Sequence, residues 1–240
     1  MTDDELKKLV ASYKPSPQVL KAMAGISVLG TVGPSASGKT TLMKAQVKTS
    51  PKVKFILDET SRTRRPNEVN GVDFLFRTKE EIIDDLKNGE LVQAAIGPNG
   101  DLYCTRPSSY PIGVTGVIAL VPLAVKEFRR LPIKSLKTAF IVPKSFEIWQ
   151  EWLAKQAKIG SWSQEKLQGR LAEAKQSFDF ALGDKDIHFV LNDNIDEAVR
   201  RLEQVAIGQP PDEEQQARTV AKESYAKLLE LPTHQKLDAT

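Results

Sequence analysis

Apolar positions along this chain follow two rhythms, and the alternation between them predicts most of its elements. Strand-like segments recur at residues 26–32 and 52–57, and apolar runs of parallel-strand type at 114–121, 138–142 and 188–191. Runs of that length without polar alternation suit strands buried on both faces, as in a parallel sheet. Between them the period lengthens to that of helices, at 41–47, 79–87, 195–206 and across a long charged stretch, 145–180. Thr78 is placed to cap the second of these. Residues 71–76 and 91–96 also have strand character, and the Gly97-Pro98-Asn99-Gly100 turn after them predicts a hairpin. Strands alternating with helices, with a small block intercalated after the second strand, describe an α/β fold.

The ends of the chain read differently. Residues 2–24 predict one or two short helices, with Thr2 or Asp3 as a cap and Pro15-Ser16-Pro17 as the break. Gly208-Gln209-Pro210-Pro211 interrupts the chain again, and residues 212–231 predict a final amphipathic helix or a partly ordered tail. Val220, Tyr225, Leu228, Leu229 and Leu231 give that tail an apolar face, suited either to covering its own core or to pairing two copies in a homodimer. The expected division is an N-terminal helical appendage at 1–25, a central domain at 26–208 and a C-terminal helical tail at 209–240.

Composition narrows the partners. The 240 residues carry 34 basic and 31 acidic side chains, a formal charge of +3, too mild to imply a nucleic-acid surface. Cys104 is the single cysteine, so no internal disulfide forms, and His188 and His234 stand apart from any metal-ligand cluster. Cys104 and His188 are expected to pack rather than react. Asp3, Asp4 and Glu5 open the chain without a long apolar stretch, so no secretory signal or membrane span is expected and a cytoplasmic protein follows.

The densest chemistry lies immediately after the first strand. Gly33-Pro34-Ser35-Ala36-Ser37-Gly38-Lys39-Thr40 has the glycine spacing that lets the backbone curl with its N–H groups inward, where they hydrogen-bond phosphate oxygens at a helix start. Lys39 supplies a point charge to the outer phosphates, and Thr40 offers a hydroxyl to a magnesium ion bridging the β and γ phosphates. A nucleoside triphosphate is the expected ligand.

Downstream, Ser61-Arg62-Thr63-Arg64-Arg65-Pro66 followed by Glu68-Val69-Asn70-Gly71-Val72-Asp73-Phe74 resembles the acceptor-phosphate segment of guanylate kinases, and the phosphate loop with Thr41-Leu42 is close to that family's form. The resemblance runs from Ile26 to about Ile207. It implies a phosphate-loop NTPase-type three-layer fold with a parallel central sheet, a small inserted acceptor-binding subdomain at about 58–113 and a helical lid at about 150–172. It implies Mg²⁺ with ATP as the cofactor and a nucleoside monophosphate as the acceptor, most simply GMP or dGMP. Gly33 to Thr41 and Asn192 align with the ATP site, the latter within Asn192-Asp193-Asn194. Arg62 and Arg65 align with the arginines that grip the acceptor phosphate, a planar fork suiting a dianion better than lysine does. Tyr103 and Thr105 align with a phosphate-binding tyrosine and a base-reading hydroxyl. Lys155 and Arg170 align with cationic lid residues that join Lys39 in catalysis.

Departures from the family cluster on the acceptor side. Gln93 stands where the family has the glutamate that accepts from guanine's two adjacent donors; an amide offers one acceptor and one donor group, a mismatch worth about 1 to 3 kcal/mol. Phe74 replaces a phosphate-binding tyrosine, keeping the ring without its hydroxyl. Ala119, Val121, Leu123 and Ala124 occupy the strand that carries two aspartates in the family, and Ile159 beside Lys158 stands where a second lid arginine is expected. Asp58, where serine is usual, is either a replacement carboxylate for an acceptor or a partner of Arg62 or Arg65. Beside GMP phosphorylation, a different phosphorylated acceptor and a catalytically weak nucleotide-binding module therefore remain open.

Overall fold

A computed structural model describes residues 1–66, 68–97 and 100–231. The chain divides into two compact units, one of Met1–Val28, Lys52–Ile118 and Leu123–Leu136, the other of Leu29–Pro51, Ala119–Pro122 and the residues from Lys137 onward. Pro98 and Asn99 of the expected turn, the end of the tail and His234 lie outside the described residues.

In the first unit, helix α1 (Asp3–Ser12) starts in a reciprocal cap, Glu5 N–H donating to the Thr2 hydroxyl and Thr2 N–H to the Glu5 carboxylate. Helix α2 (Pro17–Met23) starts at Pro17, with Ser16 as its cap. Helix α1 is part of a core: Leu6 is buried with Ile82, Leu86, Leu91, Leu102 and Cys104, and the Tyr13 hydroxyl both accepts from Leu91 N–H and donates to the Leu91 carbonyl.

After β1 (Ser27–Val32) and α3 (Lys39–Thr49), the second strand is shorter than expected, β2 (Val53–Phe55). The inserted block then folds into β3 (Glu59–Thr60), β4 (Leu75–Phe76), α4 (Lys79–Asn88), β5 (Gln93–Ile96) and β6 (Leu102–Thr105), with sheet order β4-β3-β6-β5. Thr78 caps α4 as expected, and Gly89 ends it in the left-handed region. The strand expected at 71–76 is reduced to Leu75–Phe76, because Gly71 at φ 78° turns the chain while Val72 and Asp73 N–H bond back to the Val69 carbonyl. Turn chemistry overrides the apolar pattern there.

Strand β7 (Thr115–Ala119) pairs in parallel with β2, and Pro122 opens α5 (Pro122–Phe128), so the run expected to reach residue 121 stops earlier, leaving Val121 exposed. Strands β8 (Ser135–Pro143) and β9 (Ile187–Asn192) are also parallel, and the five-stranded sheet has the order β2-β7-β1-β8-β9.

In the second unit the stretch expected as one long helical segment is two helices, α6 (Phe146–Ile159) and α7 (Gln164–Gly183). Gly160 and Ser161, the latter at φ 45°, break the helix, and the Ser163 hydroxyl caps its successor by accepting from Lys166 N–H. Helix α8 (Ile195–Ala206) has the expected bounds, with Asn194 accepting from Asp196 and Glu197 N–H at its start. Helix α9 (Glu214–Glu230) packs on α6, α7 and β9 of its own chain. Its buried face is Ala217, Ala221, Ser224 and Leu228, and Tyr225 stacks on Phe178. Leu229, expected on that face, is exposed, because the helix presents its small residues to its neighbours. His188 does more than pack: its Nδ1 lies 3.1 Å from the Glu214 carboxylate at the start of α9.

Candidate active site

The phosphate loop is built on the end of β1. Gly33 has φ 148°, and a Cβ there would sit 2.8 Å from the Ile141 carbonyl oxygen; Gly38 has φ 92°, and a Cβ there would meet Asn192 Nδ2 at 2.2 Å. Conformation demands glycine at both positions, reinforced by close backbone approach at Gly33 and by the clamping Asn192 amide at Gly38. Ala36 is also in the left-handed region, at φ 63°, the kind of turn that gathers N–H groups into a concavity for an anion.

Two side chains clamp the loop from outside. Asn192 Nδ2 donates to the Ser37 carbonyl at 2.9 Å, and Trp149 Nε1 donates to the Ser35 carbonyl at 2.8 Å. Inside, the Lys39 ammonium donates to the carbonyls of Gly33 and Pro34 at 2.6 and 2.8 Å. Burial pushes the Lys39 pKa down to about 8; Glu173 opposes that shift and Arg170 adds to it. The Ser37 hydroxyl is fully buried and has no hydrogen-bond partner. A desolvated lysine and an orphaned hydroxyl on an inward-curled loop form a site short of one anion.

A cavity of about 480 Å³ opens above the loop, lined by Ala36 to Thr41, Trp152, Lys155, Gln156 and Asn192 to Ile195. It brings together Ala36, Ser37, Gly38, Lys39, Thr40, Thr41, Lys155 and Asn192 of the expected residues, while Gly33, Pro34 and Ser35 form the loop's base. Thr40 is exposed in the first turn of α3. Arg170 is not in the lining; it pairs with Glu173 at 2.6 Å and lies beside the Trp162 ring. Ile159 is exposed at the end of α6. No group of three or more His, Cys, Asp or Glu side chains gathers as a metal cage among the described residues, so a magnesium ion here would rest on Thr40 and on the nucleotide's own oxygens. The buried, unpaired Ser37 hydroxyl and Lys39 fit the Mg²⁺–triphosphate that such a cradle takes.

The first unit carries the residues aligned with the acceptor site. Gln93 and Thr105 are cross-strand partners, as are Ala95 and Tyr103, and Thr60 pairs with both Tyr103 and Phe76. Alternation therefore puts Gln93, Tyr103, Thr105, Thr60 and Phe76 on one face of the small sheet, while Glu59, Cys104 and Ala94 occupy the other. On the reverse face buried Glu59 and partly buried Asp85 accept from the partly exposed Arg77 and Arg106. On the open face the Phe74 ring packs edge-on to Tyr103, and the Arg62 guanidinium lies 5.0 Å from the Phe74 ring centre. Thr105 shares a 2.7 Å hydrogen bond with Tyr110, whose hydroxyl burial holds well above the usual phenol range.

Both arginines are present with different freedom. Arg62 makes a two-point pair with Glu68, at 2.8 and 2.6 Å, which raises its pKa and lowers that of Glu68. The Arg65 side chain is exposed, and its backbone N–H donates to the same carboxylate. Since Arg62 is taken by Glu68, the expected pairing of Asp58 with an arginine is not found. Asp58 is half-buried, its carboxylate has no hydrogen-bond or ion-pair partner among the described residues, and desolvation pushes its pKa up to about 7. Sequence reasoning missed Trp149, Trp152 and the Arg62–Glu68 pair. The signal for the first two was available, since two of the chain's three tryptophans lie three residues apart on one helix turn.

A phosphate loop of this geometry on a parallel α/β sheet, with a separate arginine-bearing sheet inserted after β2, defines the class of phosphate-loop nucleoside monophosphate kinases. A family model described as "Guanylate kinase" matches residues 27–208, and the chain belongs to that family. It is 29% identical over 195 residues to guanylate kinase from Corynebacterium glutamicum, covering 78% of this chain and 100% of that one. It is 30% identical over 198 residues to guanylate kinase from Symbiobacterium thermophilum, covering 78% and 85%. In fold it is similar to the crystal structure of guanylate kinase from Anaplasma phagocytophilum, with a TM-score of 0.55 and 19% identity over 78% of this chain and 87% of that one. Among the described residues, no helix is long and apolar enough to cross a membrane.

Proposed function

We propose that this protein transfers the γ-phosphoryl group of ATP to a nucleoside monophosphate, most simply GMP or dGMP. The observation that carries the reading is the state of the donor cradle, where Lys39 is half-buried on two carbonyls beside a buried, unpartnered Ser37 hydroxyl. Loop N–H groups, Ser37 and Lys39 hold the triphosphate, and Lys39 neutralises charge on the transferring group. Thr40 would hold a magnesium ion, which would supply further charge neutralisation when bound. Lys155 reaches the same cavity from α6, and Arg170 approaches it from α7 in exchange for its pair with Glu173. On the acceptor side Arg65 and Arg62 orient the phosphate and Gln93 on β5 reads the base edge, while its strand partner Thr105, fully buried with its hydroxyl on Tyr110, supports the sheet from within.

A second reading keeps the chemistry and changes the acceptor. It is favoured by Gln93 on the open face and by the unpaired carboxylate of Asp58, both of which alter what that face accepts. Steady-state turnover of a panel of nucleoside and sugar monophosphates with Mg-ATP separates the two. GMP phosphorylation predicts kcat/KM for GMP above all others, and Gln93→Glu raises it by about five- to a hundred-fold by restoring two acceptors toward guanine. If another acceptor leads and Gln93→Glu lowers its turnover, the second reading holds. No turnover of any acceptor, with ATP still bound, defeats both and leaves a nucleotide-binding module.

A further inference from the structure

The segment beyond residue 208, outside the family match, is tied to the nucleotide cavity through one buried side chain. Arg201, on α8, is 3% exposed. Its Nη1 donates to the Leu191 carbonyl at 3.0 Å and to Asp193 Oδ1 at 2.6 Å, and its Nη2 donates to the Glu213 carboxylate. Asp193 lines the cavity between Asn192, which clamps the phosphate loop at Ser37, and Asn194, which caps α8. Polar contacts therefore run from Glu213, at the start of α9, through Arg201 to Asp193, whose chain neighbour Asn192 holds the phosphate loop.

Glu213 is the residue that makes this more than packing. It stands at the N-cap position of α9, yet its side chain caps nothing, and its backbone is held in the left-handed region at φ 59°, which a residue with a side chain rarely adopts. A glycine or a capping asparagine would suit the local structure better. The strained backbone persists because neighbouring contacts fix it: Arg200 pairs with Asp212, Asp212 N–H donates to Gln204, and Glu214 accepts from Phe189 N–H. The outcome is a carboxylate aimed at Arg201 instead of at its own helix. A non-glycine residue kept in this conformation against local preference points to a role for its side chain.

We propose that Glu213 and Arg201 are positioning residues for ATP, through which the C-terminal helix holds the Asn192–Asn194 loop in its nucleotide-binding geometry. The proposal rests on the ATP site described above. Glu213 touches no nucleotide in this arrangement; it fixes Arg201, which fixes Asp193, which sets the loop that carries Asn192.

Glu213→Gly relieves the backbone but also removes a partner of Arg201, so a purely structural role predicts a change confined to thermal stability, with unchanged ATP affinity. The positioning role predicts ATP binding weakened by about three- to ten-fold, with kcat at saturating ATP within about two-fold of wild type and acceptor KM unchanged. Calorimetric titration of full-length wild type, Glu213→Gly and Glu213→Gln with Mg-ATP, beside thermal unfolding of each without nucleotide, gives the readout. Weaker ATP binding in both variants, whichever way the unfolding temperature of Glu213→Gly moves, supports the proposal. Wild-type ATP affinity in both variants overturns it and leaves the ATP site intact. A wild type that binds no ATP removes the site itself, a separate result visible before any variant is compared.

Discussion

The donor loop and the acceptor sheet differ in how their charges are kept before a ligand arrives. In the loop a half-buried lysine rests on backbone carbonyls with no carboxylate in contact among the described residues, and a neighbouring buried hydroxyl has no partner. Beside the small sheet Arg62 is already neutralised by a two-point pair with Glu68, while Arg65 is exposed. An anion reaching the loop would meet a lysine held only by carbonyls, whereas one reaching Arg62 would have to displace Glu68. That contrast separates affinity from exchange: the loop gains from any phosphate, whereas Arg62 gains only if the acceptor competes with Glu68.

The sharpest break of the comparison is at Lys39. Lys39→Met is expected to lower kcat/KM by about a thousand-fold or more, as for loss of a central charge-stabilising group. The unliganded protein should nonetheless be no less stable, because a desolvated ammonium is replaced by an apolar chain of similar length. The pH dependence supplies the control. With its folded pKa lowered from 10.5 to about 8, the unfolded chain binds more protons than the folded one between those values, so wild-type stability rises with pH across that window and falls as pH drops through about 8. Denaturant unfolding at pH 8 and pH 10 should show that rise in wild type and not in Lys39→Met.

The acceptor sheet is tested by setting its two arginines against each other. Arg65→Ala removes an exposed guanidinium and should raise acceptor KM by about ten- to a hundred-fold with an unchanged unfolding temperature. Arg62→Ala leaves Glu68 and the Phe74 ring without their partner, so it should both weaken the acceptor and lower stability by about 1 to 3 kcal/mol. Equal stability losses in the two variants would erase the distinction between a free and a committed arginine.

How much of this was legible in the sequence follows the range of the forces involved. The phosphate loop was readable residue by residue, because backbone curvature and close approach confine Gly33 and Gly38 to glycine. Caps at Thr78 and Asn194 fixed helix starts through contacts only a few residues long. The break at Gly160 and Ser161 had a local signal, a glycine followed by the Ser163 cap, but the charged helical pattern on both sides concealed it. Long-range consequences left no such trace. The commitment of Arg62 to Glu68, the grip of Trp149 on Ser35 across 114 residues of sequence, and the isolation of Asp58 all depend on how the chain returns on itself.

Asp58 gives the smallest expected effect and the finest test of the contrast, since like Lys39 it is desolvated and has no ion-pair partner among the described residues. Its pKa rises from 3.8 to about 7 on folding, so between those values the folded chain binds more protons than the unfolded one. The stabilising contribution of its proton is therefore complete below about pH 4 and is lost as pH rises through about 7. Asp58→Asn keeps the shape without the charge, and should be more stable than wild type at pH 8 by about 1 to 3 kcal/mol, a difference that vanishes near pH 4. If the carboxylate also receives an acceptor group, the same variant loses acceptor affinity while ATP affinity holds, and bound acceptor narrows the stability difference at pH 8. A stability difference that stays constant from pH 4 to pH 8 would mean that Asp58 is solvated or paired, and would leave the donor loop as the only region of the two built around an uncompensated charge.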